Sequence, residues 1–146
     1  MQNQPLVSIL IPVYNMESFI EEAVDSALNQ GYGNCEIIIV DNHSTDNTWK
    51  VLSKYQSHPN IVVYKNASNI GMVRNWNACL SYAKGEYIKF LNADDVLDAD
   101  AISKYVHILQ EFPTVSLVTA SYTTFGTEHK TYVPPVAFGL LKGKEA

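Results

Sequence analysis

Residues 36–46 read Glu-Ile-Ile-Ile-Val-Asp-Asn-His-Ser-Thr-Asp, and this stretch decides the fold. Its β-branched run, bounded by polar residues, makes Glu36–Val40 a strand that is apolar on both faces. Such a strand belongs inside a parallel sheet, with helices covering both sides. The run stops at Asp41, a carboxylate for which an apolar interior offers no partner. Parallel α/β sheets bind ligands beyond the carboxyl ends of their strands. Asp41 through Asp46 is therefore the first place to look for function.

The flanking sequence repeats the theme. Leu6–Val13 is a buried strand stopped by Pro12 and Asn15. Glu17–Gln30 is a helix whose apolar pairs Phe19/Ile20, Ala23/Val24 and Ala27/Leu28 recur at helical spacing, and Gly31 and Gly33 end it. A second helix spans about Thr45–Gln56, with Ser44 as its N-cap, Asp46 in its first turn, and Trp49, Leu52 and Tyr55 inward. After His58-Pro59-Asn60 come a strand at Ile61–Tyr64 and a helix opened by Gly71, with Val73, Trp76, Leu80 and Ala83 as its buried stripe. Tyr87–Leu91 is the next strand and stops at Asn92-Ala93-Asp94-Asp95. A helix at about Ala99–Phe112 turns Ile102, Tyr105, Val106, Leu109 and Phe112 inward, and a fifth strand is expected at Val115–Ser121. Thr123–Lys130 reads as a turn, Tyr132-Val133 as a short strand before Pro134-Pro135, and Gly139–Ala146 has no closure. Alternating strands and helices give an α/β fold with a mainly parallel sheet and helices on both faces.

A length of 146 residues suits a single domain, 1–146. With 47% hydrophobic and 17% charged residues, the chain is neither disordered nor a charge-rich coiled coil. A net charge of -5 argues against a nucleic-acid partner. No apolar run approaches the length of a membrane span, and the N-terminus has no basic signal region. Cys35 and Cys79 have no zinc or redox spacing and read as reduced, packed thiols of a cytoplasmic protein.

The strand-end residues are Pro12–Asn15, Asp41–Asp46, Lys65–Gly71 and Asn92–Asp95. Asp46 and Asp95 can be explained as helix caps and the other acids as solvated loop residues. Acids after two strands of one sheet also suit a hard cation, since Mg²⁺ takes one or two carboxylates plus substrate phosphates. Asp94 with Asp95 can supply these, and a metal there would neutralise a departing diphosphate. Arg74, the only arginine, lies one turn into a helix facing the same mouth, and its planar fork suits phosphate. Other motifs fail: the first turn, Pro-Val-Tyr-Asn, has no GxGxxG, and Gly139–Lys144 is one residue short of a P-loop and lacks its Ser/Thr. The four histidines, His43, His58, His107 and His129, show no metal spacing.

Four segments in order carry a resemblance: Val7–Asn15, Ile37–Asp46, Asn69–Asn75 and Tyr87–Leu97. Together they resemble the family 2 glycosyltransferases, inverting nucleotide-sugar enzymes of the GT-A fold, across about residues 6–122. The resemblance implies that Pro12, Val13, Tyr14 and Asn15 line the nucleotide, with Tyr14 against the base and Glu17 beside them. It implies that Asp41 accepts from a uracil ring N–H, and that Gly71 and Arg74 stand near the base and diphosphate. Asn92-Ala93-Asp94 takes the DxD position, with Asp94 as ligand of a divalent metal (Mn²⁺ or Mg²⁺) and Asp95 toward the donor sugar. Asn92 stands where the family commonly has Asp, and Asn42-His43 where it has Asp-Gly.

The function expected is metal-dependent, inverting transfer from a nucleotide-diphosphate sugar, with a UDP-sugar favoured, to an unidentified acceptor: a glycan, a lipid-linked group or a protein. The family's catalytic base comes after the fifth strand, so the chain reads as the nucleotide-binding half of a longer enzyme, truncated at its C-terminus and inactive for transfer. The place expected for it is the cytoplasm, peripheral to the inner face of the membrane. A receiver-type binding module is the alternative. It needs an aspartate after strand three and a lysine after strand five, where this chain has Lys65-Asn66 and Thr123-Thr124. A haloacid-dehalogenase-like phosphatase needs Asp-x-Asp where this chain has Asp41-Asn42-His43.

Overall fold

The computed structural model describes residues 4–133; the Pro134-Pro135 break, the glycine-rich tail and the P-loop lookalike lie outside them. The chain divides into two compact units, one ending at Val106 and one starting at His107.

The first unit holds a four-stranded parallel sheet in the order β3-β2-β1-β4. Its strands are β1 (Val7–Val13), β2 (Cys35–Asp41), β3 (Ile61–Lys65) and β4 (Tyr87–Phe90). The connecting helices are α1 (Ile20–Leu28), α2 (Thr48–Ser53) and α3 (Met72–Tyr82), and α4 (Ala101–Glu111) follows β4. The period-two alternation of the strands divides their side chains between two cores. Ile9, Ile11, Ile37 and Ile39 pack on one face with Ile20, Ala23, Val24, Leu52, Ile102 and Val106. Leu10, Ile38 and Val40 pack on the other with Cys79 of α3. Both central strands are thus covered on both sides, as the unbroken isoleucine run requires.

Register positions the site. Val13, Asp41 and Lys65 lie side by side across the ends of β1, β2 and β3. The chain leaves β1 toward β2 on one side and meets β4 on the other, so the strand order reverses at β1, the usual place for a ligand crevice. At the opposite, amino-terminal end of the strands, Gly85 just before β4 packs against Ser8 of β1. A Cβ there would lie 2.5 Å from the Ser8 backbone nitrogen and 2.7 Å from its hydroxyl. Ser8 Oγ accepts from the Gly85 N–H and donates to Glu36, which also accepts from the Lys84 N–H.

Four expectations are corrected. The buried face of α3 is Asn75 and Cys79, while Val73 and Leu80 are 67% and 43% exposed. Hydropathy assigns asparagine to the solvent side, but the Asn75 amide satisfies itself internally by donating to the Val40 carbonyl. Helix α2 starts at Thr48, and Ser44 is not its cap because its hydroxyl is turned to Asp41. Val115–Ser121 is not a strand, and Leu117 is 81% exposed. An apolar run becomes a strand only where a neighbouring ladder accepts it, and among the described residues that run has none. In the second unit the hairpin is instead β5 (Tyr122–Thr124) paired antiparallel with β6 (Lys130–Tyr132). Phe112, expected inward, is exposed. Both cysteines are free, and burial pushes the Cys35 thiol up to about 11 and Cys79 to about 12, so neither is poised as a nucleophile.

Candidate functional site

Asp41 ends the central strand β2 and is completely buried. Its Oδ1 accepts from both the backbone N–H and the hydroxyl of Ser44. Its Oδ2, equally buried, has no hydrogen-bond partner among the described residues. The Lys65 ammonium stands 3.7 Å from Oδ2, beyond hydrogen-bonding distance, and 4.9 Å from the Trp49 ring centre. Leaving a buried acceptor unsatisfied costs about 1–3 kcal/mol, more for a charged group. Within the chain the Lys65 ammonium is its charge partner, and its lone pairs are left for a donor from outside, water or ligand.

The turn after β1 is clamped to the turn after β2. Asn15 adopts a left-handed conformation, φ 53°, which asparagine tolerates better than most residues. Its backbone N–H donates to Ser44 Oγ at 2.9 Å, and its Oδ1 accepts from the Thr45 N–H at 2.8 Å. The Met16 N–H donates to Thr48 Oγ1, the Glu17 N–H to Asp46, and the Asn47 N–H to the Glu17 carboxylate. Burial raises the Asp46 carboxyl, but hydrogen bonds from the Thr48 hydroxyl and N–H and from the Glu17 N–H outweigh this and hold it below the ordinary aspartate range. These contacts set Pro12, Val13 and an exposed Tyr14 beside the end of β2 that carries Asp41. Glu17, expected among the nucleotide-lining residues, has one carboxylate oxygen engaged in this clamp.

The turn after β3 is held by asparagines. The Asn42 amide, almost fully buried, donates to Asn69 Oδ1 and accepts from the Asn66 amide and the Ile70 N–H. Asn66 also donates to Asn75 Oδ1, and Asn69 accepts from the Gly71 N–H. This fixes Gly71, whose φ of 85° favours glycine although a side chain would meet nothing there. Arg74 follows in the first turn of α3, exposed and without an ion pair among the described residues.

Beyond β4, Ala93 is buried while Asn92, Asp94 and Asp95 are exposed. The Asn92 amide donates to Asp95 at 2.8 Å, and the Asp95 N–H donates back to the Asn92 carbonyl. The Asp94 carboxylate takes no hydrogen bond among the described residues. Burial lowers the Lys89 ammonium from its ordinary range, and nearby Asp95 partly offsets this. Among the described residues no three histidines, cysteines or acids form a ready-made metal cage. The donor set is instead one free carboxylate, which fits a cation that completes its shell with substrate phosphate and water.

Asp41, the β1 turn and Gly71 are thus brought together around the ends of β1–β3, with Asn92–Asp95 following the neighbouring β4. Sequence reasoning placed Lys65, Asn42, Asn66 and Asn69 among the strand-end residues and Ser44 at a helix cap, but did not read the Lys65–Asp41 ion pair, the bridge made by Ser44 or the amide cluster that Asn42, Asn66 and Asn69 form with Asn75. The density of asparagine between Asn66 and Asn75 was the available signal.

The model of glycosyl transferase family 2 matches residues 8–141. Among curated relatives, a chondroitin synthase of Pasteurella multocida (strain Pm70) is 41% identical over 121 residues, 82% of this chain and 12% of that protein. The Escherichia coli UDP-Glc:alpha-D-GlcNAc-diphosphoundecaprenol beta-1,3-glucosyltransferase WfaP is 42% identical over 105 residues, 72% of this chain and 41% of that protein. Among solved structures, S. aureus TarS 1-349 in complex with UDP-GlcNAc superposes with a TM-score of 0.68 at 28% identity, covering 73% of this chain and 31% of that one. The Pyrobaculum calidifontis mannosyltransferase PcManGT in complex with GDP-Man and Mn²⁺ gives 0.68 at 27% identity, covering 74% and 33%. The chain therefore spans well under half the length of each of these proteins. Among the described residues no helix is long and apolar enough to cross a membrane. The strand-end motifs, the parallel sheet that carries them and the family match over residues 8–141 agree: this chain belongs to glycosyl transferase family 2.

Proposed function

We propose that the chain forms the donor-binding part of an inverting glycosyltransferase that takes its sugar from a nucleotide diphosphate, with a UDP-sugar favoured. The observation that carries this is the unsatisfied Asp41 Oδ2, buried at the carboxyl end of the sheet. A ring N–H donated to it forms a charge-assisted hydrogen bond. Tyr14 offers a face to the base. Pro12, Val13 and Asn15 shape the wall, and Gly71 lets the backbone approach. Arg74 faces the diphosphate, Asn92 a ribose hydroxyl and Asp95 the sugar.

In this reading an acceptor hydroxyl attacks the anomeric carbon from the side opposite the diphosphate, and the sugar–oxygen bond to the diphosphate breaks as the new one forms. Arg74 holds the departing charge. Asp94 would hold a Mn²⁺ or Mg²⁺ ion, which when bound neutralises that diphosphate. The base that takes the acceptor proton is assigned to no residue of this chain.

Calorimetry with UDP, in Mn²⁺ and again in chelator, tests the reading. Binding should weaken clearly without metal, and Asp94→Asn should abolish the difference. Equal affinity in both conditions would remove the metal from the account, and no binding in either would remove the donor site.

A further inference from the structure

Asn42 follows Asp41 at the end of β2 and is almost fully buried, yet no step of the transfer uses it. Its amide is the hub of a network whose direction three backbone groups dictate. The Ile70 N–H donates to it at 3.0 Å, so the Asn42 atom facing Ile70 is Oδ1 and the one facing Asn69 is Nδ2. The Gly71 N–H donates to Asn69 at 2.9 Å, so the Asn69 atom that receives the Asn42 amide is Oδ1. The Val40 carbonyl accepts from Asn75 Nδ2, which leaves Asn75 Oδ1 to accept from Asn66. Asn66 donates to Asn42 Oδ1 as well, at 3.0 Å. None of Asn42, Asn69 and Asn75 can turn its amide over without setting donor against donor or acceptor against acceptor at the backbone.

We infer that Asn42 is a positioning residue for Arg74: through Asn66, Asn69 and Asn75 it fastens the β3–α3 turn and the first turn of α3 to the end of β2, and so fixes where the guanidinium meets the diphosphate. This rests on the donor-site reading above and adds the device that places its cation. Arg74 lies between Gly71, whose N–H the network holds, and Asn75, which is almost fully buried and tied to Val40. Among the described residues no ion pair holds the guanidinium itself, so the backbone on either side does the placing. Position 42 needs an amide for this. Asn42→Asp would keep the contacts to Ile70 and Asn66 but turn an acceptor oxygen toward Asn69 Oδ1, across a gap that is now a 2.9 Å hydrogen bond. Asn69 cannot answer by turning over, because the Gly71 N–H holds its oxygen. Two acceptors in that contact repel, and the turn moves off the end of the sheet. The substitution to the acid common in the family thus breaks the network at one contact.

The experiment measures UDP binding in Mn²⁺ to the 146-residue chain, to Asn42→Asp, to Arg74→Ala and to the double variant, with a melting curve for each so that affinity is stated per folded molecule. Arg74→Ala should lose roughly tenfold in UDP affinity, the effect of one hydrogen bond from a charged group. Asn42→Asp should lose a comparable factor. The double variant should lose no more than Arg74→Ala alone, because a residue that acts through Arg74 has nothing left to place. A merely structural Asn42 would lower the melting temperature without producing this non-additivity. If Asn42→Asp melts too early to measure, Asn69→Ala, which removes the same contact and the acceptor of the Gly71 N–H, carries the comparison. UDP binding to Asn42→Asp within about twofold of wild type, or losses that multiply in the double variant, overturns the role of Asn42. An Arg74→Ala variant that binds UDP like wild type overturns it too, with the donor site left standing. A wild-type chain that does not bind UDP overturns the donor-site reading and this inference with it.

Discussion

Ser44 grips a single oxygen of Asp41 with both its N–H and its hydroxyl, and the same hydroxyl accepts from the Asn15 N–H. One side chain thereby orients the buried carboxylate and ties the β1 turn to the β2 turn. Ser44→Ala removes the hydroxyl from both contacts and leaves the Asn15 N–H without its acceptor. We expect a loss of about 1–3 kcal/mol in stability, read from denaturant unfolding, together with weaker UDP binding. Unchanged stability would mean that water replaces the hydroxyl and that the clamp is not held here.

Gly85 offers a control at the other end of the strands. Gly85→Ala drives a methyl group into the Ser8 backbone, which no rotamer change relieves. Overpacking of this kind costs about 1–3 kcal/mol. The melting temperature should fall, while UDP affinity per folded molecule stays at the wild-type value. A loss of affinity there would show that the two ends of the sheet are coupled.

Asp46 gives the acid side of stability a specific source. Its carboxyl is held below the ordinary value of 3.8 in the folded chain. A lowered carboxyl stabilises the fold above its unfolded value, and that contribution is lost as pH falls through the folded value. Asp46→Asn should therefore melt below wild type near neutral pH, and the gap should narrow below about pH 4. A gap independent of pH would assign the effect to packing rather than to charge.

The fold was readable because a few residues dictate it. Ile37–Val40 can only be a strand covered on both faces, and the acid behind it ends that strand at the edge of the sheet where parallel α/β folds bind ligands. The readings that failed share a cause. Val115–Ser121 has the composition of a strand, but composition does not say whether a neighbouring strand is there to accept its hydrogen bonds. The buried face of α3 is anchored by Asn75, whose partners Val40 and Asn66 lie on other elements. The same holds for the site: Asp41 is legible as a residue at a strand end, but its empty oxygen exists only through Ser44, and Lys65 meets it only through sheet register. Hydropathy along one segment carries no trace of such convergence.

Binding of UDP to the chain and to Asp41→Ala, with melting curves for both, tests the central claim most directly. If Asp41 Oδ2 is the acceptor for the base, the variant loses about 1.5–3 kcal/mol of UDP affinity per folded molecule, roughly ten- to a hundredfold, on top of the lower melting temperature expected when the Ser44 N–H and hydroxyl lose their acceptor. A variant that binds UDP like wild type per folded molecule while its melting temperature collapses would contradict the account, because Asp41 would then hold the fold together and read no ligand.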